Sequence, residues 1–121
     1  MPAPLLPLVI MLSALPPLED VYRFPDRATV RACLTFNWNF QRHLETRLAG
    51  DPDNTILQQA LEETRQLHHV WDLLDDVRYE GYGPLKQQHS LHCLRLLLGE
   101  EAYQRGLMPP PVPVWRFRPI D

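Results

Sequence analysis

The side chains best equipped for chemistry are two cysteines and five histidines in a chain of 121 residues. Three of them crowd into the run HSLHC, His89 to Cys93. On a helix, His89 and His92 stand at i,i+3 and His89 and Cys93 at i,i+4, on one side, as a zinc site needs. Cys33 with His68 or His69 would complete the shell from neighbouring helices. The candidate metal or redox set is therefore Cys33, His89, His92 and Cys93. Partly exposed helix histidines explain the same spacing, and the patterns that mark metal or haem proteins are missing. There is no carboxylate-plus-ExxH pattern of a di-iron bundle and no CxxCH haem attachment. No metal and no cofactor is assigned.

Cys33 and Cys93 have a second reading. In an exported protein they could pair, closing a loop of sixty residues and stabilising by ~4 kcal/mol in the chain-entropy account. Two buried free thiols are the alternative, and both stay open.

His68 and Asp72, at i,i+4, resemble two members of a catalytic triad. The third is missing: Ser13 and Ser90 are the only serines, and neither sits in a GxSxG elbow. There is no phosphate loop and no dinucleotide fingerprint. The sequence carries no motif of a conventional hydrolase, kinase or dehydrogenase, no catalytic residue is assigned, and the reading leans away from an enzyme. Asp72, Asp75, Asp76 and Glu80 gather where a helix C-terminus would oppose their charge. With Arg78 among them they read as a solvated face.

The elements that position these residues are helical. Residues 51–80 show Leu57, Ala60, Leu61, Leu67, Val70, Trp71, Leu74 and Val77 at three- and four-residue steps, one face of a helix. Asp51 is its expected cap and Pro52 its first residue; Gly81 and Gly83 end it. A preceding helix spans about 27–49, capped by Asp26 and closed by Gly50, with Val30, Cys33, Phe36, Phe40, Leu44 and Leu48 expected inward. Phe36 and Phe40 should form its largest buried area, Trp38 should be covered by a terminal segment, and Asn37 and Asn39 should flank the core. The short link Gly50-Asp51 makes the two helices an antiparallel hairpin. Pro84 opens a third helix with Leu91, Leu94, Leu97 and Leu98 inward, Gly99 interrupts it, and a short fourth closes at Gly106. The fold class expected is all-α: a three-helix antiparallel bundle with a short fourth helix and extended proline-rich ends.

Composition fits one domain: 45% apolar and 22% charged residues. A net charge of −3 with a pI near 5.9 lacks the basic face of a nucleic-acid binder, so no nucleic-acid partner is expected. The thirteen prolines gather in residues 2–25 and 84–119, with only Pro52 between, and divide the chain. Residues 1–25 are a signal-like or packing arm, 26–106 the helical bundle and 107–121 a proline-rich strap. The apolar run Leu5 to Leu15 is too short to span a bilayer and has the length of a signal-peptide core. It lacks a preceding Lys or Arg and a clean small-residue cleavage site. Secretion or a periplasmic location and a cytoplasmic one both remain open. In the tail, Pro109, Pro110, Pro111 and Pro113 forbid helix and favour an extended strap, with Trp115 and Phe117 as anchors. The same prolines would suit an SH3-type groove, but Val112, Val114, Trp115 and Phe117 are too apolar for a free linker. Tyr22-Arg23-Phe24 echoes Trp115-Arg116-Phe117, so the two ends could lie side by side.

Two blocks, LLLGEEAYQRGLMPPPVPVWRF and YRFP, resemble small helical proteins of unassigned function from planctomycete bacteria. The resemblance implies a bacterial origin and supplies no activity. The function expected is that of a small non-enzymatic helical interaction or structural protein, with a protein partner or a homodimer as its assembly. The alternative is a metal-binding or redox bundle using the Cys/His set.

Overall fold

A computed structural model describes residues 15–113 of the chain. A 3-10 helix, Leu18–Arg23, is followed by α1 (Arg27–Ala49), α2 (Thr55–Arg78), α3 (Pro84–Leu98) and α4 (Glu100–Arg105); there is no strand among the described residues. The expected apolar run Leu5–Leu15, apart from Leu15, and the anchors Trp115 and Phe117 lie outside the described residues.

α1 begins where its cap demands. The Asp26 carboxylate accepts the Thr29 amide at 2.9 Å, satisfying one of the free donors of the first turn. α2 starts later than expected. Asp51 is not its cap: the Asn54 amide donates to the Asp51 carbonyl at 3.1 Å, closing a turn through Pro52. Asn54 takes the capping role instead, accepting the Leu57 amide at 3.1 Å. Gly99 (φ +88°) and Gly106 (φ +64°) bracket α4. A Cβ on Gly106 would collide with the Arg23 carbonyl oxygen, so this left-handed cap must be glycine to let α4 close onto the 3-10 helix.

α1 and α2 run antiparallel. Arg27 and Arg31, near the start of α1, reach Asp75 near the end of α2 at 3.1 and 3.4 Å. Their far ends meet in a small apolar cluster of Leu44, Leu57, Ala60 and Leu61, with Phe40 and Leu48 at its edge. A larger cluster joins Val30, Val70, Trp71, Leu74, Val77, Leu91 and Leu94 with Phe24 and Tyr103. Between the two lies a polar layer: Asn37, Gln41 and Thr64 are all buried. That layer corrects the expected inner face of α1. Its buried residues are Val30, Asn37, Gln41 and Leu44, one position round the helix from Phe36, which is 55% exposed. Trp38 is half exposed too, with its ring 6.2 Å from that of His68. Asn37 is a centre of the interior, not its flank.

The described part of the N-terminal arm, residues 15–25, is tied down by polar contacts. The Arg78 guanidinium donates to the carbonyls of Phe24 and Pro25 at 2.7 and 3.0 Å. The buried Tyr103 hydroxyl donates to the Asp20 carboxylate at 2.6 Å, and its ring packs 5.4 Å from that of Phe24. Burial, then the Asp20 hydrogen bond and charge, push the Tyr103 phenol far above the ordinary value of 10.0. The folded chain therefore holds this proton more tightly than the unfolded chain does. The stability so gained is complete below pH 10 and falls as pH rises beyond it. Absorbance titration at alkaline pH should show one of the four tyrosines ionising only with unfolding. Tyr103→Phe should abolish that step and cost about 2 kcal/mol at neutral pH, since it leaves the buried Asp20 carboxylate with the Arg23 guanidinium at 3.2 Å but without its shorter hydrogen bond.

The acidic end of α2 is partly neutralised and partly frustrated. Asp75 has its two arginines. Burial, and next the charge of Asp72, push the Asp76 carboxyl up from 3.8, while Lys86 pulls it down. Ionising Asp76 thus weakens the fold, increasingly as pH rises through the folded-state value. Asp76→Asn should raise the urea midpoint at pH 7, and the gain should close below about pH 4, where the unfolded carboxyl is also protonated.

Candidate functional site

The sequence-derived metal set is not gathered into one place. His89 and Cys93 do meet on α3, with the imidazole Nε2 3.7 Å from the thiol sulfur. His92, one turn along, has its Nδ1 buried without a hydrogen-bond partner. Cys33 sits on α1 against the larger core cluster, and burial raises its thiol. Both cysteines are free. Among the described residues no three His, Cys, Asp or Glu side chains stand close enough to hold a metal ion. Of the triad-like pair, Asp72 lines a shallow hollow of about 430 Å³ together with His69, Cys93 and Leu97. His68 faces elsewhere, into the polar layer.

That layer is organised by one side chain. Asn37 Nδ2 donates to two carbonyls, Thr64 at 3.0 Å and Pro111 at 2.6 Å. Gln41 Nε2 donates to Asn37 Oδ1 at 2.7 Å, and His68 Nδ1 lies 3.0 Å from the same oxygen. With both amide hydrogens spent on carbonyls, Oδ1 can only accept. His68 Nδ1 must therefore be the donor of this contact. All four hydrogen-bonding positions of the amide are filled. Leucine would fill none of them, and aspartate would present an anion to two carbonyl oxygens. Asn37 thereby fastens the segment 107–113 to α1 and α2 by its Pro111 carbonyl. Val112 and Pro113 are buried as a result, so this part of the proline run is a packed strap.

The strap forms one wall of an open apolar groove. Leu67 and Val70 from α2, Leu97 and Leu98 from α3, and Ala102 from α4 make its floor and far side. Leu107, Met108, Pro109, Pro110 and Pro113 make the near wall, and Glu63 and Gln66 stand among the lining residues. Its volume is about 700 Å³, within the range of sites that enclose a ligand. Leu97, expected inside the bundle, is 55% exposed, and Leu107 is 53% exposed. The groove holds no chemistry of its own; what it offers is apolar surface against a wall of prolines that lose little freedom on binding.

Sequence reasoning found the parts of this groove but not their meeting. Leu67, Val70, Leu97 and Leu98 were each legible as apolar helix positions. Only the tertiary path of 107–113, set by Asn37, turns them into a groove.

No protein-family model, curated protein or solved structure matches the chain. Within the described residues, no helix is long and apolar enough to cross a membrane.

Proposed function

We propose that this chain is a small non-enzymatic interaction protein: a three-helix antiparallel bundle with a short fourth helix and extended proline-rich ends, whose groove takes an apolar segment of a protein partner. The observation that carries this reading is the open groove of about 700 Å³, lined mainly by Leu, Val, Met and Pro. Exposed apolar surface of this kind costs solubility and marks interaction sites in soluble proteins. The net charge of −3 supports a protein partner over nucleic acid. A second copy of the chain is the other protein that could cover the surface, and light scattering that returns a strict monomer would remove it.

The reading is tested by selecting displayed random peptides against the full chain. Apolar sequences should be enriched, and Leu97→Asp should weaken their binding at least tenfold by placing a charge in the groove. Because Leu97 is more than half exposed, this change leaves the fold intact. Failure to enrich any sequence, or binding indifferent to Leu97→Asp, would refute the proposal.

One contact favours a second reading, a metal-binding or redox bundle: the 3.7 Å approach of His89 to Cys93. Elemental analysis decides it. A protein without bound metal, whose melting is unchanged by chelator or reductant, would end that alternative.

A further inference from the structure

The groove opens beside the point where the described chain stops. Pro113 is buried and is itself a lining residue. The sequence continues Val114-Trp115-Arg116-Phe117-Arg118. Aromatic and cationic residues alternate in this stretch of the sequence. At roughly 3.3 Å per residue, Trp115 lies within ~7 Å of Pro113 along the chain and Phe117 within ~13 Å, both inside reach of the groove. Large aromatic side chains are what an apolar groove of this size binds best.

We propose that the groove recognises the sequence that follows it in the chain, residues 114–121, through Trp115 and Phe117, and that this segment competes with any partner for the site. The proposal rests on the groove being an interaction site. A ligand tethered two residues from its site acts at millimolar effective concentration. A partner can then use only the fraction of molecules whose groove is open, and its apparent affinity falls by that fraction.

The test uses a fluorescein-labelled synthetic peptide with the sequence of residues 114–121, titrated into the full chain and into the full chain carrying Trp115→Ala and Phe117→Ala. The double variant should bind the peptide about tenfold more tightly, because its own segment no longer competes. Adding Leu97→Asp should abolish binding. Equal affinity for the two proteins, or binding that survives Leu97→Asp, would overturn the proposal. If library-selected peptides bind the groove while this one does not, the proposal falls and the interaction reading stands; if neither kind binds, both fall. A second measurement needs no ligand. With Phe117 replaced by the photo-cross-linker p-benzoylphenylalanine in the full chain, illumination should link it within one chain to tryptic peptides 66–78 or 96–105. Links elsewhere, or between isotopically distinct chains, would contradict self-recognition.

Discussion

Asn37→Ala should destabilise the protein by about 3 kcal/mol and loosen the proline wall of the groove at the same time. The change strands Gln41 Nε2 and His68 Nδ1 as donors and frees the Pro111 carbonyl, all bonded to one amide in the native chain. Each buried polar group left without a partner costs about 1–3 kcal/mol, and relaxation toward water returns part of the sum. Asn37→Asp, the same shape without the two donors, should be no better tolerated. A chemical-denaturation series measures the loss. Two further readouts separate this effect from simple packing damage. Nitrogen-15 NMR of the imidazole should report the Nδ1–H tautomer of His68 in the parent and a tautomer mixture in the variant. Limited proteolysis should cut at 107–113 faster in Asn37→Ala than in a core variant of equal stability. Equal cutting in the two would mean that the strap is held by something other than this side chain.

The second large effect belongs to the core. Leu74 is fully buried among Val30, Val70, Trp71, Val77, Leu91 and Leu94. Leu74→Ala should cost about 3–4 kcal/mol, the lost transfer free energy plus that of a cavity the surrounding helices cannot close. For a domain whose whole stability is of order 5–15 kcal/mol this is a large fraction. The urea midpoint should fall with little change in slope. Leu85, 74% exposed on α3, is the control, and Leu85→Ala should stay within about 0.5 kcal/mol of the parent. If the two variants behave alike, α3 does not pack on α2 through the face described.

How much of this was readable beforehand differs from residue to residue, for physical reasons. The bounds of α1 were legible because Asp26 and Gly50 act locally, on amides and carbonyls within a turn. The start of α2 was misread because two capping residues, Asp51 and Asn54, compete within four positions, and a turn through Pro52 decides between them. Apolar spacing put Phe36 in the core, whereas the buried stripe of α1 follows Asn37 and Gln41. Their partners, Thr64, His68 and Pro111, lie far along the chain, and no local pattern announces them. Of the candidate Cys/His set, His89 and Cys93 stand 3.7 Å apart because one helical turn separates them. Cys33 belongs to another helix, and its distance from them is a tertiary matter. The groove is the extreme case, since its two sides come from α2 to α4 and from 107–113.

The most direct measurement of the central claim is methyl NMR of the full chain bound to a library-selected apolar peptide. Intermolecular contacts to the methyl groups of Leu67, Val70, Leu97, Leu98 and Met108 are the predicted result. Contacts confined to exposed methyl-bearing side chains outside the groove, Ile56, Leu85 and Leu96, with the groove methyls unmoved, would contradict it.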